Sequence, residues 1–206
     1  MGSHGWTAIA EALASRPPGR VEEKVSRRAA VALVLREGPS GIELLFIRRA
    51  DDPRDPWSGH VAFPGGRSEP GDADLTATAI RETHEELDLD LEADAEILGP
   101  LDEVRAVAQA RPMDLAISPF VFRLVRNGDL DPSAEVRSVH WLPLVDLLGD
   151  SHRSSLAREF QGRVVQLPCL RIRGLVIWGL TYRMFSDLQA RLAAGGGGLQ
   201  AEGDRV

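Results

Sequence analysis

Three glutamates, Glu82, Glu85 and Glu86, lie in a run of helical periodicity that follows a Gly65-Gly66 turn. At about 100° per residue, with Glu82 set at zero, Glu85 falls near 300° and Glu86 near 40°, so the carboxylates share one face. Like charges at i, i+3 and i+4 cost a few tenths of a kcal/mol per pair unless something positive lies between them. A hard divalent cation, Mg²⁺ or Mn²⁺, meets that need, because it takes carboxylate and carbonyl oxygens and completes its shell with water and substrate phosphates. A solvated acidic helix face is the alternative that these residues alone leave open. Arg81, at roughly 260° on the same wheel, flanks Glu85. Thr76, Ile80, Thr83 and Leu87 gather at about 100–160° and predict a buried stripe, with the glutamates turned away from it. His84 falls on neither face and is expected to serve packing or the surface.

The elements that must hold this helix can be read on either side of it. A short helix around Trp6, Ile9, Ala10 and Leu13 ends at Arg16-Pro17-Pro18-Gly19. Two β-like runs, 29–35 and 42–47, are separated by a Gly-Pro-Ser-Gly turn that suits a hairpin. A loop rich in Asp, Pro and Arg follows at 50–58, and loops of that length inside a domain are usually functional. The glutamate-bearing helix is predicted over 73–87. Further strands are expected at 95–98, 119–125 and 136–142, with an Asn127-Gly128-Asp129 turn, then a short helix opened by Pro143 and a last helix over 178–192. Trp141, Trp178 and the lone Cys169 are expected in the core. Dispersed strands among few helices predict a mixed-sheet α/β or α+β domain. The expected organisation is a helical extension at 1–28, a domain at 29–193 and a Gly-rich tail at 194–206.

The 206 residues suffice for one conventional core, and 43% hydrophobic with 27% charged residues excludes wholesale disorder. The longest apolar stretch, around 175–180, is far shorter than a membrane span, so no membrane partner is expected. The first twenty residues lack a basic segment followed by an apolar one, which predicts no secretory signal and a cytoplasmic location. With 24 Lys and Arg against 31 Asp and Glu, the net charge of −7 disfavours nucleic acid as a general partner.

The segment Arg81-Glu82-Thr83-His84-Glu85-Glu86-Leu87 resembles the core of the Nudix box: Arg-Glu, an aliphatic, any residue, Glu-Glu, any residue, Gly and an aliphatic. The match departs at three places. Ala73 stands where the pattern has its first Glu, with Asp72 and Glu69 nearby. Aligning Gly66 with the opening glycine requires one extra loop residue. Asp88 replaces the late glycine, where Asp tolerates a left-handed backbone less easily. Upstream, Leu44, Leu45, Arg49, Ala50, Arg54, Gly59, Phe63, Pro64, Gly65 and Gly66 resemble the signature of the coenzyme A pyrophosphatase subfamily, and the segments at 135–144 and 176–184 are similar to that subfamily as well.

The resemblance implies an α/β/α Nudix sandwich that hydrolyses a pyrophosphate bond in a nucleotide derivative, with Mg²⁺ or Mn²⁺ as cofactor. It implies metal ligands at Glu82, Glu85, Glu86 and the Gly66 carbonyl. Catalytic roles fall to Glu82, Arg81 and Glu86, and substrate contacts to Arg49, Arg54, Gly65 and Phe63. The partner it implies is a small nucleotide diphosphate: coenzyme A or an acyl-CoA, with ADP-ribose and nucleotide sugars as the alternative class and a silent nucleotide sensor as a further one. It allows a homodimer. Glu103 and Glu135 both stand as candidates for an acid recruited from outside the box. Arginines among Asp51, Asp52 and Asp55 have a plainer reading, as partners of those carboxylates.

Overall fold

A computed structural model describes residues 2–108, 111–126, 128–160 and 162–195. Its elements are α1 (Gly2–Ala14), β1 (Arg27–Gly38), β2 (Gly41–Arg49), β3 (Val61–Ala62), β4 (Gly65–Arg67), α2 (Leu75–Leu87), α3 (Leu91–Asp94), β5 (Ala95–Pro100), β6 (Val104–Ala108), β7 (Arg111–Leu124), β8 (Val136–Pro143), α4 (Leu144–Leu148), β9 (Arg153–Phe160), β10 (Arg163–Ile172), β11 (Leu175–Trp178) and α5 (Gly179–Ala194). The larger sheet runs β3-β2-β1-β7-β5, with β4 beside β1, β6 beside β7 and β8 beside β2. Its central pair, β1 and β7, is parallel and the other pairs are antiparallel, so the sheet is mixed.

Alternation along β1 decides the layers, because successive side chains leave opposite faces of a strand. Ala29, Val31, Leu33 and Leu35 enter one core with Trp6, Ile9 and Leu13 of α1 and Met184, Phe185 and Leu188 of α5. Ala30, Ala32 and Val34 enter the other with Ala79 and Leu87 of α2. Both faces of β1 are therefore buried, and the result is the α/β/α sandwich. α1 also packs against β5, and Arg191 of α5, almost fully buried, donates to the Leu13 and Arg16 carbonyls and pairs with Asp102 and Asp187.

The β1–β2 hairpin forms as expected, turning between Gly38 and Gly41, which has φ +95. The structure corrects several other expectations. Between the two last helices, where no strand was expected, β9, β10 and β11 make a second, three-stranded antiparallel sheet. β6 is a further strand, and β7 begins at Arg111, well before Pro119. Pro143 ends β8 and caps α4 instead of opening it. On α2 the buried face lies closer to the glutamates than the wheel implied: Ala79, Thr83, Glu86 and Leu87 are buried, whereas Thr76 and Ile80 are half-buried. Cys169 is buried as expected, whereas Trp141 and Trp178 are half-buried, Trp141 packing against the second core. Trp141 lies under Arg36 and Trp178 under Arg158. Asn127 of the expected turn and the tail from 196 onward lie outside the described residues. No helix among the described residues is long and apolar enough to cross a membrane.

Candidate active site

α2 is held at both ends by aspartates. The Asp74 side chain accepts from Ala77 N–H at 2.8 Å, satisfying one of the free donors of the first turn. Asp88 takes the left-handed conformation, φ 54 and ψ 32, and its N–H donates to the His84 carbonyl, so the substitution for glycine preserves the usual helix ending. β4 lays its glycines against this helix. Gly65, at φ +143, donates its N–H to Glu86 Oε2 at 2.9 Å, and Gly66 leaves room for the Glu82 carboxylate, which a Cβ there would overlap.

Arg81 organises the acidic side. Its guanidinium contacts Asp72 at 2.9 Å, Glu82 at 3.1 Å, Glu85 at 3.1 Å and the Arg67 carbonyl at 2.9 Å. Asp72 also accepts from Thr78 and from Glu69 N–H, and the Arg81 bond above all holds its carboxyl well below the usual carboxylate range. Glu85 is turned outward onto Arg81, and His84 is exposed beside Asp88. Glu82 and Glu86 face inward. Burial raises the pKa of Glu82 despite Arg81, and it pushes Glu86, only 4% exposed, up to about 7 against the opposing pull of the Gly65 N–H and Arg49.

Glu82, Glu86, Gly65, Gly66 and Glu135 all line one cavity of about 620 Å³. The negative charges of Glu82 and Glu135 each raise the pKa of Glu86, so the three carboxylates repel within reach of one another. Among the described residues no three His, Cys, Asp or Glu side chains form a group that could hold a metal ion on their own. Two inward carboxylates that resist ionisation, packed against Gly65 and Gly66, nevertheless fit a Mg²⁺-type site, in which water and substrate phosphates fill the remaining positions.

A NUDIX domain model matches residues 25–163. The chain belongs to the Nudix family. The Nudix hydrolase NudL of Photorhabdus laumondii, itself uncharacterized, is 30% identical over 177 residues, covering 84% of this chain and 88% of that protein. An uncharacterized protein of Schizosaccharomyces pombe is 40% identical over 108 residues, 51% of this chain, and the chain spans only 33% of that protein's length. Among solved structures, the MutT protein of Methanosarcina mazei Go1 superposes with a TM-score of 0.50 at 19% identity, covering 88% of this chain and 98% of that one, and shares the fold.

Within this Nudix domain the two acids from outside the box separate clearly. Glu135 lines the cavity. Glu103 is buried elsewhere, between Arg20 and Arg28 at 2.8 Å each, with the Val21 N–H and Ser118 hydroxyl as further donors. Arg49 and Arg54 both line the cavity, yet each has a carboxylate partner: Arg49 has Asp55 at 2.7 Å and Glu86 at 3.7 Å, and Arg54 has Asp52 at 3.0 Å. Phe63 is buried in the wall and stacks on Phe46 at 4.9 Å. Further lining comes from Trp178 and from Leu180, Thr181 and Met184 of α5. Thr181 ties that helix to β3 by donating to the Val61 carbonyl at 2.9 Å. Sequence reading had marked this segment only by resemblance and assigned none of its residues to the site, because its approach depends on packing from over a hundred residues away.

The adjacent glycines of the Nudix domain predict opposite phenotypes. A Cβ at Gly65 would strike the Ala30 carbonyl in the sheet, on a backbone that L-residues rarely adopt, so Gly65→Ala is expected to lower the melting temperature by several degrees. At Gly66 the obstacle is the flexible Glu82 carboxylate. Gly66→Ala is therefore expected to fold near normally and to lose activity. Equal melting temperatures for the two variants would show that Gly65 is not held against β1 in this way.

Proposed function

We propose that the protein hydrolyses the pyrophosphate linkage of a nucleoside diphosphate derivative, with coenzyme A or an acyl-CoA as substrate, giving adenosine 3′,5′-bisphosphate and 4′-phosphopantetheine or its acyl form. The observation that carries the reaction class is the pair of inward carboxylates, Glu82 and Glu86, set against Gly65 and Gly66 of β4 in a cavity large enough for a nucleotide. The coenzyme A assignment rests on the residues from Leu44 to Gly66 that resemble that subfamily.

Glu82, Glu86 and the Gly66 carbonyl would hold Mg²⁺ or Mn²⁺, with Glu85 available if it releases Arg81. A cation bound there supplies charge neutralisation of the pyrophosphate and acidification of the attacking water. Arg81 orients Glu82, and the Gly65 N–H fixes one oxygen of Glu86. Glu135, which lines the same cavity, would take a proton from water entering it. Arg49 bridges Asp55 and Glu86 and can exchange those partners for a phosphate oxygen, a contact that guanidinium makes with comparable geometry. The acidic site repels an anionic substrate without the cation, so turnover should require it. The proposed setting is the cytoplasm.

A substrate panel with Mg²⁺ tests the reading: coenzyme A, dephospho-CoA, ADP-ribose, nucleotide sugars and dinucleoside polyphosphates. Coenzyme A is expected to give the highest kcat/KM, and excess EDTA is expected to abolish turnover. Much faster cleavage of ADP-ribose or a nucleotide sugar would overturn the coenzyme A assignment, and hydrolysis that persists in EDTA would overturn the cation requirement.

A further inference from the structure

Trp178 lines the cavity and has two ring partners. The His60 ring, also in the wall, lies 4.8 Å from the Trp178 ring at 56°. The Arg158 guanidinium lies 4.7 Å from the Trp178 ring centroid. The register of the small sheet puts both side chains on one face. Trp178 of β11 faces Cys169 of β10, and Cys169 faces Ser154 of β9. Side chains alternate along β9, so Arg158, four residues beyond Ser154, rises from the same face of the sheet.

Arg49, Arg54 and Arg67 line the cavity, and Arg158 stands behind its Trp178 wall; the four differ in what already occupies them. Arg49 and Arg54 are engaged by carboxylates, and Arg67 lies beside Gly66 at the carboxylate end. Arg158 is exposed, and among the described residues its guanidinium has no ion pair and no hydrogen bond. A guanidinium laid against an indole keeps its N–H groups free while its orientation is restricted. Its charge reaches the cavity, where burial first and Arg158 next lower the pKa of His60.

We propose that Arg158, braced on Trp178 beside His60, forms an anion subsite that binds a phosphate monoester of the nucleotide substrate, remote from the pyrophosphate being cleaved. The inference rests on the hydrolytic reading above and assigns the residue that would recognise the sugar phosphate of coenzyme A, a group that ADP-ribose and nucleotide sugars lack.

Calorimetric titration of the full chain with adenosine 3′,5′-bisphosphate and with AMP tests this without turnover. The parent is expected to bind the bisphosphate roughly tenfold or more tightly than AMP, the range of a charge-assisted hydrogen bond. Arg158→Gln is expected to bring the ratio of the two affinities close to one, and Arg158→Lys to retain part of it. Equal affinities in the parent, or an unchanged ratio in Arg158→Gln, would overturn the subsite. So would an equal loss for both ligands, the mark of an arginine that only braces Trp178. A parent that discriminates between the two ligands but leaves coenzyme A uncleaved would overturn the substrate assignment and leave the subsite standing.

Discussion

Glu82→Gln is expected to lower kcat by roughly 10²–10⁴-fold, the range lost when a group acting on proton transfer or its activating charge is removed. The side chain keeps its shape, so the amide still fits the space left by Gly66 and still meets Arg81. What disappears is one of the two inward negative charges on which the proposed cation depends. The fold is expected to tolerate the change, because burial already disfavours the ionised form of Glu82. Steady-state kinetics at saturating Mg²⁺, with the melting temperature measured alongside, check this. A fall in kcat and kcat/KM together marks an interaction realised in the transition state. Near-normal turnover would remove Glu82 from the mechanism.

Glu86→Gln is expected to abolish activity to a similar extent and, unusually for an active-site substitution, to stabilise the cation-free protein above neutral pH. Burial holds the pKa of Glu86 at about 7 in the folded state, above the 4.5 of the free side chain, so the folded state binds the proton more tightly. The contribution of this group to stability is fully present below the unfolded pKa and is lost as pH rises through about 7. At pH 8 the parent carries a buried, repelled carboxylate, and the variant does not. The advantage of the variant is expected to grow across that window to on the order of 3 kcal/mol and then level off. Gln retains an oxygen for the Gly65 N–H, so the difference reports the charge. Denaturant melts from pH 4 to 8 in EDTA measure it, and a variant no more stable at pH 8 than at pH 4, relative to the parent, would contradict it. Mg²⁺ added at pH 8 is expected to raise the melting temperature of the parent more than that of the variant, since ligand stabilisation scales with affinity for the folded state.

These two residues also show where sequence reading stops. The helical period put Glu82 and Glu86 on one face, but it did not show that the face is half-buried, because that depends on β4 crossing beside α2 with glycines in place of side chains. The wheel accordingly placed the buried stripe too far toward Ile80. The pairing of Glu85 with Arg81 follows from i,i+4 spacing, whereas the choice of Glu135 over Glu103 required knowing which strand end opens into the cavity.

By itself the sequence determined the family, the β1–β2 hairpin, the extent of α2 and the residues of its acidic face, since all of these reside in local spacing, turn chemistry and a contiguous motif. The tertiary structure alone decided what surrounds that face. β9 to β11 carry no clean alternation of polar and apolar residues, because much of the small sheet is exposed, so their strands were not legible. Their pairing nevertheless brings Arg158 to Trp178, and α5 brings Thr181 and Met184 to the same wall, through contacts that local spacing does not encode. A carboxylate cluster is a property of one helix, whereas a cavity and its electrostatics belong to every element that excludes water from it.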